Sequence, residues 1–250
     1  MTAGTMPRWR WPAVIAHRCG GMLAPENSIE GLHRASALGC RGAEFDAMLA
    51  VCGTPVLMHD ETLERTTVAQ GRVDATPWQV LADTALRARD GSVSTARVPS
   101  LAMALQTCLS LGMAANIEIK PATGADQATG EAVAALAARL WPADAPWPLL
   151  LSSFSTRALA AAADTAPDLP RALLLETVAP DSLALAQQLG CVALVVERSC
   201  LTAAVIDTVH QAGLGIAIYT ENHADRGQDA LAAGLDALIT DWPDRFLRSH

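Results

Sequence analysis

From residue 114 to residue 241, short segments that are apolar throughout alternate with single stretches of helical length. The apolar segments read AANIEIK, PLLLSSF, RALLLE, CVALVVE, GIAIYT and DALITD. Strands without polar alternation are covered on both faces, as in parallel sheets whose crossovers are helices. The rhythm therefore predicts an α/β chain with a parallel sheet. A closed (β/α)8 TIM barrel fits the length and strand count best, and a doubly wound open sheet is the alternative.

The first half of the chain adds three strand candidates, VIAHR at residue 14, GAEFDAML at residue 42 and TPVLMHD at residue 54. The total of nine exceeds the eight strands of a barrel. The connection between GAEFDAML and TPVLMHD is too short for a crossover helix, which needs about a dozen residues. Either these segments pair antiparallel, or the chain returns extended along the outside of the barrel. We favour the second arrangement, because it lets Asp46 and His59 finish at the same end.

Size and composition limit the class of protein. A chain of 250 residues, half of them hydrophobic, can bury one full core, and we predict a single domain over residues 1–250. The net charge of −8 argues against a nucleic-acid surface. Six cysteines without a CxxC pair favour free thiols in a reducing compartment. With no evident signal peptide or apolar stretch of about eighteen residues, we expect a cytoplasmic protein without stable membrane association. A homodimer is compatible with these expectations.

Ionisable residues close most of the predicted strands, whose ends read IAHR, EFD, LMHD, IEIK, LLLE, VVER, YTEN and ITDW. In a parallel barrel the C-terminal strand ends meet at one face, where the chemistry gathers. Buried charges are tolerated when they are paired or bind a metal. Loop-capping roles explain one or two of these ends but not all of them together. The sequence therefore predicts a polar site at this face.

The spacing of the carboxylates points to a metal. Glu44 and Asp46 are two residues apart, so their side chains leave the same face of one strand. Glu118 and Lys120 repeat this spacing on another strand. Converging carboxylates repel one another unless a cation lies between them. Oxygen ligands favour one hard divalent cation, Mg²⁺ or Ca²⁺, over Zn²⁺, and a plain salt-bridge network is the alternative.

Two histidines at other strand ends, His17 and His59, indicate an acid–base pair, because histidine titrates near working pH. Arg18 and Lys120 supply cationic donors beside the metal. This equipment suits phosphoryl transfer, in which charge stabilisation carries most of the catalysis. The charge of Arg18 would lower the pKa of the adjacent His17, so we expect His17 to be the base and His59 the acid.

An ordered set of motifs runs along nearly the whole chain and resembles the glycerophosphodiester phosphodiesterase family. The motifs are His17-Arg18, PENS at 25–28, EFD at 44–46, HD at 59–60, LERTT at 63–67, VPSL at 98–101, EIK at 118–120, SSF at 152–154, YTEN at 219–222 and TD at 240–241. A lone HR or ExD carries no weight, whereas this order and spacing are specific. The resemblance is closest to the cytoplasmic bacterial members associated with glycerol-3-phosphate uptake.

The resemblance implies a TIM barrel of the phospholipase-C-like phosphodiesterase type, with a small insertion after the third strand at about residues 60–110. It implies hydrolysis of small-molecule glycerophosphodiesters, such as glycerophosphocholine or glycerophosphoethanolamine, to an alcohol and sn-glycerol 3-phosphate. In the mechanism it implies, the glycerol hydroxyl of the substrate attacks phosphorus, and water then opens the cyclic phosphate.

The resemblance also assigns roles to single residues. Metal ligands are Glu44, Asp46 and Glu118, the acid–base pair is His17 and His59, and phosphate contacts are Arg18 and Lys120. We place Asn27, Tyr219 and Trp242 in the wall of the substrate pocket, with packing as the alternative for Trp242.

Two positions depart from the pattern of the family. Ser28 replaces a threonine and keeps the hydroxyl, whereas Cys19 stands where the family usually has glycine. A glycine there allows backbone conformations that a Cβ hinders. Gly20 and Gly21 follow and could absorb the turn, so we expect Cys19 to be tolerated.

Two rival functions remain beside this interpretation. A phosphodiesterase of the lysophospholipase D kind would use the same barrel, but the largely polar insertion offers no strong amphipathic anchor. A non-catalytic binding protein is the second rival, and the intact motif positions argue against it.

Overall fold

The computed structural model describes residues 9–247, so the ends of the predicted domain, residues 1–8 and 248–250, lie outside the described range. Within this range the chain forms eleven strands and eight α-helices. The strands are β1 Val14–Ala16, β2 Gly42–Leu49, β3 Pro55–Leu57, β4 Ala85–Arg87, β5 Val93–Arg97, β6 Ala114–Ile119, β7 Leu150–Ser153, β8 Arg171–Leu175, β9 Ala193–Glu197, β10 Gly215–Tyr219 and β11 Ala237–Thr240. The helices are α1 Ile29–Ala37, α2 Trp78–Asp83, α3 Leu101–Leu111, α4 Asp126–Leu140, α5 Thr156–Thr165, α6 Ser182–Gln188, α7 Ala203–Gln211 and α8 Ala224–Ala232.

Eight of these strands close into a parallel barrel. Their order around the ring is β1, β2, β6, β7, β8, β9, β10 and β11, and β1 pairs with both β2 and β11. Helices α1 and α3 to α8 each connect one barrel strand to the next. The predicted (β/α)8 barrel is confirmed, and the pairing of β1 with β2 excludes the open sheet because it leaves no free edge in the ring.

Alternate residues of each barrel strand serve two different cores. Ala193 and Val195 of β9 belong to a cluster inside the barrel, which Trp11 joins. Leu194 and Val196 belong to a cluster between the barrel and its helices. This division follows from the period of two in a strand, and it explains why the strands carry no polar alternation. In the described part of the chain, no helix has the length and apolar character needed to cross a bilayer.

The third strand corrects one prediction. Strand β3 does not run extended outside the barrel; it pairs antiparallel with the end of β2, with Ala47 opposite Leu57. A five-residue connection containing Gly53, whose φ is +78°, closes the hairpin. The backbone N–H of Met58 donates to the carbonyl of Asp46 at 3.1 Å. The returning chain therefore brings the next residue, His59, to the level of Asp46, as the extended arrangement was expected to do.

The segment between β3 and α3 packs over this hairpin around a small core of its own. It contains α2 and an antiparallel pair of strands, β4 with β5, and our sequence analysis did not predict the strand pair. Its buried members include Leu63, Leu81, Leu86 and Val98, which pack with Met48 of β2. This core anchors the insertion directly beside the carboxyl ends of the barrel strands.

Candidate functional site

Three carboxylates meet at the carboxyl end of β2 and β6. One oxygen each of Glu44, Asp46 and Glu118 lies within 4.8 Å of the others. The two on β2 share a face, and Asp46 stands opposite Glu118 in the parallel register of β2 with β6. Glu44 and Asp46 are buried, with 4% and 1% of their surface exposed. The fold thus brings the predicted metal ligands together.

The mutual repulsion of these groups is evident in their pKa values. Burial and then the charges of Asp46 and Glu118 raise the pKa of Glu44 well above its ordinary value. Burial and then the charge of Asp46 raise the pKa of Glu118 to about 7. Oxygens bound to one ion at 2.0–2.6 Å lie at most about 5 Å apart. A hard divalent cation therefore fits both the spacing and the charge of this cluster.

Cationic groups frame the carboxylates. The Lys120 ammonium donates to Glu118 at 3.0 Å and lies 3.9 Å from Asp46. The backbone N–H of Arg18 donates to Glu44 at 2.9 Å. The guanidinium Nε of Arg18 lies 3.5 Å from Asp46, and it is one of the buried side-chain atoms of the described residues that make no hydrogen bond. This buried Nε therefore lies against the Asp46 carboxylate as part of an ion pair.

His17 is held by a carboxylate from the last barrel strand. Its Nδ1 lies 2.7 Å from Oδ1 of Asp241, and its Nε2 lies 3.9 Å from Glu44. The amide of Asn222 donates to Asp241 at 2.9 Å and fixes that carboxylate. Burial raises the pKa of Asp241, but the hydrogen bond and charge of His17, the hydrogen bond from Asn222 and the charge of Arg89 together lower the pKa to about 2. Our sequence reasoning assigned no role to Asp241, although ITDW was among the charged strand ends that signalled the site.

His59 has a matching carboxylate of its own. Its Nδ1 lies 2.6 Å from Oδ1 of the adjacent Asp60. Burial and the charges of Arg18 and Lys120 lower the pKa of His59, against the opposing charge of Asp46. The charge of Arg18, on which our acid–base assignment relied, therefore also acts on His59 and lowers its pKa.

Asn27 lies beneath the site instead of facing an open pocket. Its side chain is buried, donates to the Asp46 carboxylate at 2.8 Å and accepts from the Asp46 backbone N–H at 3.3 Å. Asn27 has φ +54°, a left-handed conformation that asparagine tolerates better than most residues. Both polar atoms of the amide are thus engaged with the central carboxylate, which differs from the contact with substrate that we predicted.

The two predicted aromatic wall residues differ in their surroundings. The Tyr219 hydroxyl donates to the Leu175 carbonyl at 3.1 Å, and its ring meets Phe154 edge-on at 5.7 Å. Phe154 is exposed, and the Lys120 ammonium lies 5.9 Å from its ring centre. Trp242 instead lies under the Arg245 guanidinium at 4.2 Å. Tyr219 and Phe154 therefore form an aromatic wall beside Lys120, and Phe154 is a wall residue that sequence reasoning did not select.

Comparison with known proteins identifies the family of the chain. The sequence profile of the glycerophosphoryl diester phosphodiesterase family matches residues 17–245. The chain belongs to this family. The prediction of an enzyme of the glycerophosphodiester phosphodiesterase family is thereby confirmed.

Individual relatives agree with this membership. The chain is 27% identical over 241 residues to the uncharacterized protein YqiK of Bacillus subtilis. This match covers 93% of this chain and 96% of that protein. It is 38% identical over 117 residues to glycerophosphodiester phosphodiesterase 1 of Rattus norvegicus, a match that spans 46% of this chain and 35% of the rat protein.

Solved structures share the architecture. A phosphodiesterase of Oleispira antarctica in complex with the product sn-glycerol-3-phosphate superposes with a TM-score of 0.86 at 30% identity, covering 94% of this chain and 95% of that chain. A glycerophosphodiester phosphodiesterase from Parabacteroides distasonis has a TM-score of 0.74 at 21% identity, with 94% of each chain covered, and shows the same fold.

Cys19, the departure from the family pattern, adopts the conformation that favours glycine. Its φ is +75°, so the glycines that follow do not spare Cys19 a left-handed conformation as we expected, although Gly21 also has a positive φ, +57°. Those glycines serve close packing, since a Cβ on Gly20 would lie 2.6 Å from Cα of Gly31 and one on Gly21 would overlap the Asp241 carbonyl. Cys19 is fully buried, and burial raises the pKa of its thiol well above the ordinary value. A buried neutral thiol is a packing group and not a nucleophile.

We expect the Cys19→Gly variant to keep its activity within about threefold of the wild type, which corresponds to a loss of less than about 0.7 kcal/mol of transition-state stabilisation. Relief of the left-handed conformation, about 1 kcal/mol, offsets the lost burial of a small side chain. Its urea midpoint should move little, and thiol reagents should modify the exposed Cys52 before Cys19 in the folded protein. A loss of activity beyond about a hundredfold would give the thiol a role in the reaction.

Proposed function

We propose that this protein hydrolyses glycerophosphodiesters to an alcohol and sn-glycerol 3-phosphate with the help of one divalent cation. The observation that carries the proposal is the convergence of three carboxylates within 4.8 Å of one another between two carboxylate-bound histidines. The relative from Oleispira antarctica, at 30% identity, holds sn-glycerol-3-phosphate as its product. Membership of the family and this constellation support the same reaction.

The cation would be held by Glu44, Asp46 and Glu118, and its nature as Mg²⁺ or Ca²⁺ follows from the all-oxygen ligand set. When bound, such an ion supplies Lewis-acid polarisation of phosphoryl oxygens. Asn27 would orient the Asp46 carboxylate through its two hydrogen bonds, as partners of metal ligands do.

The two histidines move the protons. Because Asp241 and Asp60 bind the Nδ1 atoms of His17 and His59, Nε2 is the atom on each ring that exchanges a proton with substrate. One Nε2 takes the proton of the attacking glycerol hydroxyl, and the other protonates the departing alkoxide. The same pair, with roles exchanged, would let water open the cyclic phosphate.

Arg18 and Lys120 are the groups that would bind the phosphate. The Nε of the Arg18 guanidinium and the ammonium of Lys120 lie 3.5 Å and 3.9 Å from the same carboxylate, Asp46. An anion bridging them would sit over the metal ligands. Tyr219 and Phe154 would form the wall beside Lys120.

A panel of diesters tests the proposal. The protein should hydrolyse glycerophosphocholine and glycerophosphoethanolamine in the presence of Mg²⁺ or Ca²⁺, with sn-glycerol 3-phosphate detected by an enzyme-coupled assay. Cleavage of lysophosphatidylcholine alone would identify a lysophospholipid substrate instead. Binding of glycerophosphocholine without turnover of any diester would identify a binding protein.

We expect a divalent cation to stabilise the fold more at about pH 8 than at about pH 6. The pKa of Glu118, about 7 in the folded protein without a cation, lies above the unfolded value of about 4.3. The proton on Glu118 contributes its full share of the folding stability below the unfolded pKa, and this contribution is lost as the pH rises through about 7. A bound cation favours the ionised form of Glu118, so it restores the stability that is lost at high pH. Calorimetric Tm values with and without Mg²⁺ measure the effect. Equal shifts at both pH values, or an unchanged shift in Asp46→Ala, would contradict a site at these carboxylates.

We also propose that the protein works in a reducing compartment, the cytoplasm. Cys52 is exposed, and its hydrogen bond with Thr54 lowers the pKa of its thiol to about 7, which favours oxidation outside such a compartment. Cell fractionation with an antibody to the protein tests the location.

A further inference from the structure

A buried carboxylate beside the candidate site accepts hydrogen bonds from three arginines. Glu26 is only 6% exposed, and it accepts hydrogen bonds from Arg18 at 2.7 Å, from Arg65 at 2.8 and 2.9 Å, and from Arg89 at 3.4 Å. Burial raises the pKa of Glu26, but the hydrogen bond from Arg65 and the three positive charges outweigh it and lower the pKa to about 2. Glu26 is therefore a permanent anion that fixes the guanidinium of Arg18, the proposed phosphate contact.

Arg65 binds two carboxylates at once. Its Nη1 and Nη2 donate to Glu26, while its Nε and Nη2 donate to Asp60 at 2.5 and 3.0 Å. Asp60 in turn holds Nδ1 of His59 at 2.6 Å. One guanidinium thus connects the carboxylate that orients Arg18 with the carboxylate that orients His59. The LERTT motif to which Arg65 belongs received no role in the reaction described above.

The geometry of this bridge needs an arginine. A guanidinium is a rigid planar fork with five N–H donors, so it can serve two carboxylates on different sides. A lysine ammonium is a point charge on a flexible stem and cannot hold both carboxylates in one plane. Without the guanidinium, Asp60 would lose its hydrogen bonds with Arg65 and would no longer fix the ring of His59. Glu26 would also lose its hydrogen bonds with Arg65 and would orient Arg18 less firmly.

We propose that Arg65 is a positioning residue, which aligns His59 through Asp60 and Arg18 through Glu26 for the phosphodiester reaction. The proposal rests on the proposed function for its kinetic consequence, because the two residues it aligns are the proton carrier and the phosphate contact. Arg65 belongs to the insertion between β3 and α3, so turnover would depend on a residue outside the barrel that carries the metal ligands.

The chain offers a matched control in Arg72. This arginine of the same insertion also bridges two carboxylates, with Nη2 at 2.7 Å from Glu61 and with Nε and Nη2 at 2.8 Å from Asp74. Its side chain is 45% exposed, against 47% for Arg65. Among residues 9–247, neither Glu61 nor Asp74 forms a hydrogen bond or ion pair with His17, His59 or the three metal-site carboxylates. Arg72→Gln therefore removes the same chemistry without touching the site.

The first test is kinetic. Arg65→Gln and Arg65→Lys should each lower kcat for glycerophosphocholine by about 10- to 100-fold, the range typical of lost orienting partners, while Arg72→Gln should change kcat by less than about twofold. Urea unfolding of all three variants reports the loss of stability. If Arg65→Gln does not fold, Arg65→Lys, which keeps the charge, decides the outcome. Full kcat in Arg65→Lys, or an equal loss of kcat in Arg72→Gln at equal stability, would overturn the proposal.

The second test does not depend on turnover. Imidazole ¹⁵N resonances report which ring nitrogen is protonated and hydrogen bonded, and the His59→Ala variant identifies the signals of His59. Arg65→Gln should shift the Nδ1 signal of His59, and Arg72→Gln should leave it in place. An unchanged His59 signal in the Arg65 variants would refute the positioning role. If the wild-type protein hydrolyses no diester but this signal shifts, the proposed function fails while the structural bridge stands.

Discussion

The Asp46→Ala variant should lose at least about a thousandfold in kcat/KM for a glycerophosphodiester, a loss of about 4 kcal/mol in transition-state stabilisation. Asp46 is only 1% exposed and lies between the Nε of Arg18 at 3.5 Å and the ammonium of Lys120 at 3.9 Å. Its removal takes one ligand from the proposed cation and leaves the two cationic groups without their shared partner. Initial rates over a range of glycerophosphocholine concentrations measure the loss.

Chelation should match this substitution because the ligand and the ion act as one unit. Exhaustive chelation should abolish hydrolysis by the wild-type protein, and Mg²⁺ or Ca²⁺ should restore it. The same treatment should have little further effect on Asp46→Ala. The Asp74→Ala variant, which removes a partly exposed carboxylate paired with Arg72, is the control and should respond like the wild type. Full activity in the chelated wild-type protein would remove the cation from the proposed reaction.

The barrel and the carboxylate cluster could be predicted because both follow from simple periodicities. Wholly apolar segments of strand length, separated by single helices, specify a parallel sheet without further information. The spacing of Glu44 and Asp46 places them on one face of β2, and the meeting of strand ends in a barrel brings Glu118 to them. Local pattern and global fold agree at these positions, so the sequence alone was sufficient to predict that these carboxylates lie together.

The hairpin of β2 with β3 was only our alternative prediction, because we favoured an extended return that lets Asp46 and His59 finish at the same end. The segment AVCGT between the two strands contains Gly53, which adopts φ +78°, and a short glycine-containing connection is itself a hairpin signal. The β4–β5 pair was missed for another reason. Residues of β5 alternate between exposed and half-buried positions, so this strand lacks the apolar face that marks a strand in a sequence.

The partners of the histidines depend on contacts that sequence spacing does not contain. Asp241 meets His17 across 224 positions of the chain, and this contact exists because β11 pairs with β1 to close the barrel. The same dependence explains Asn27, whose turn folds back under Asp46. Asp241 and Asn27 both lie in motifs of the sequence, but the closed barrel determines which side chains they contact.

The two proposed acid–base residues should respond differently to the leaving group. His17→Ala and His59→Ala should each lose about 100- to 10,000-fold in kcat on an alkyl diester such as glycerophosphocholine. A diester with a p-nitrophenol leaving group needs little protonation as that group departs. The variant without the general acid should therefore recover most of its activity on that substrate, whereas the variant without the base should not.

The surroundings of the two rings indicate that His17→Ala is the variant to be rescued. Burial and the charges of Arg18 and Lys120 lower the pKa of His59, so its neutral form, the form of a base, is favoured. His17, which lies 2.7 Å from Asp241 and 3.9 Å from Glu44, is then left to act as the acid. The exposed His33 on α1 provides a control, since His33→Ala should match the wild type on both substrates. Rescue of His59→Ala alone would reverse the two roles, and rescue of both variants or of neither would contradict a mechanism with two histidines.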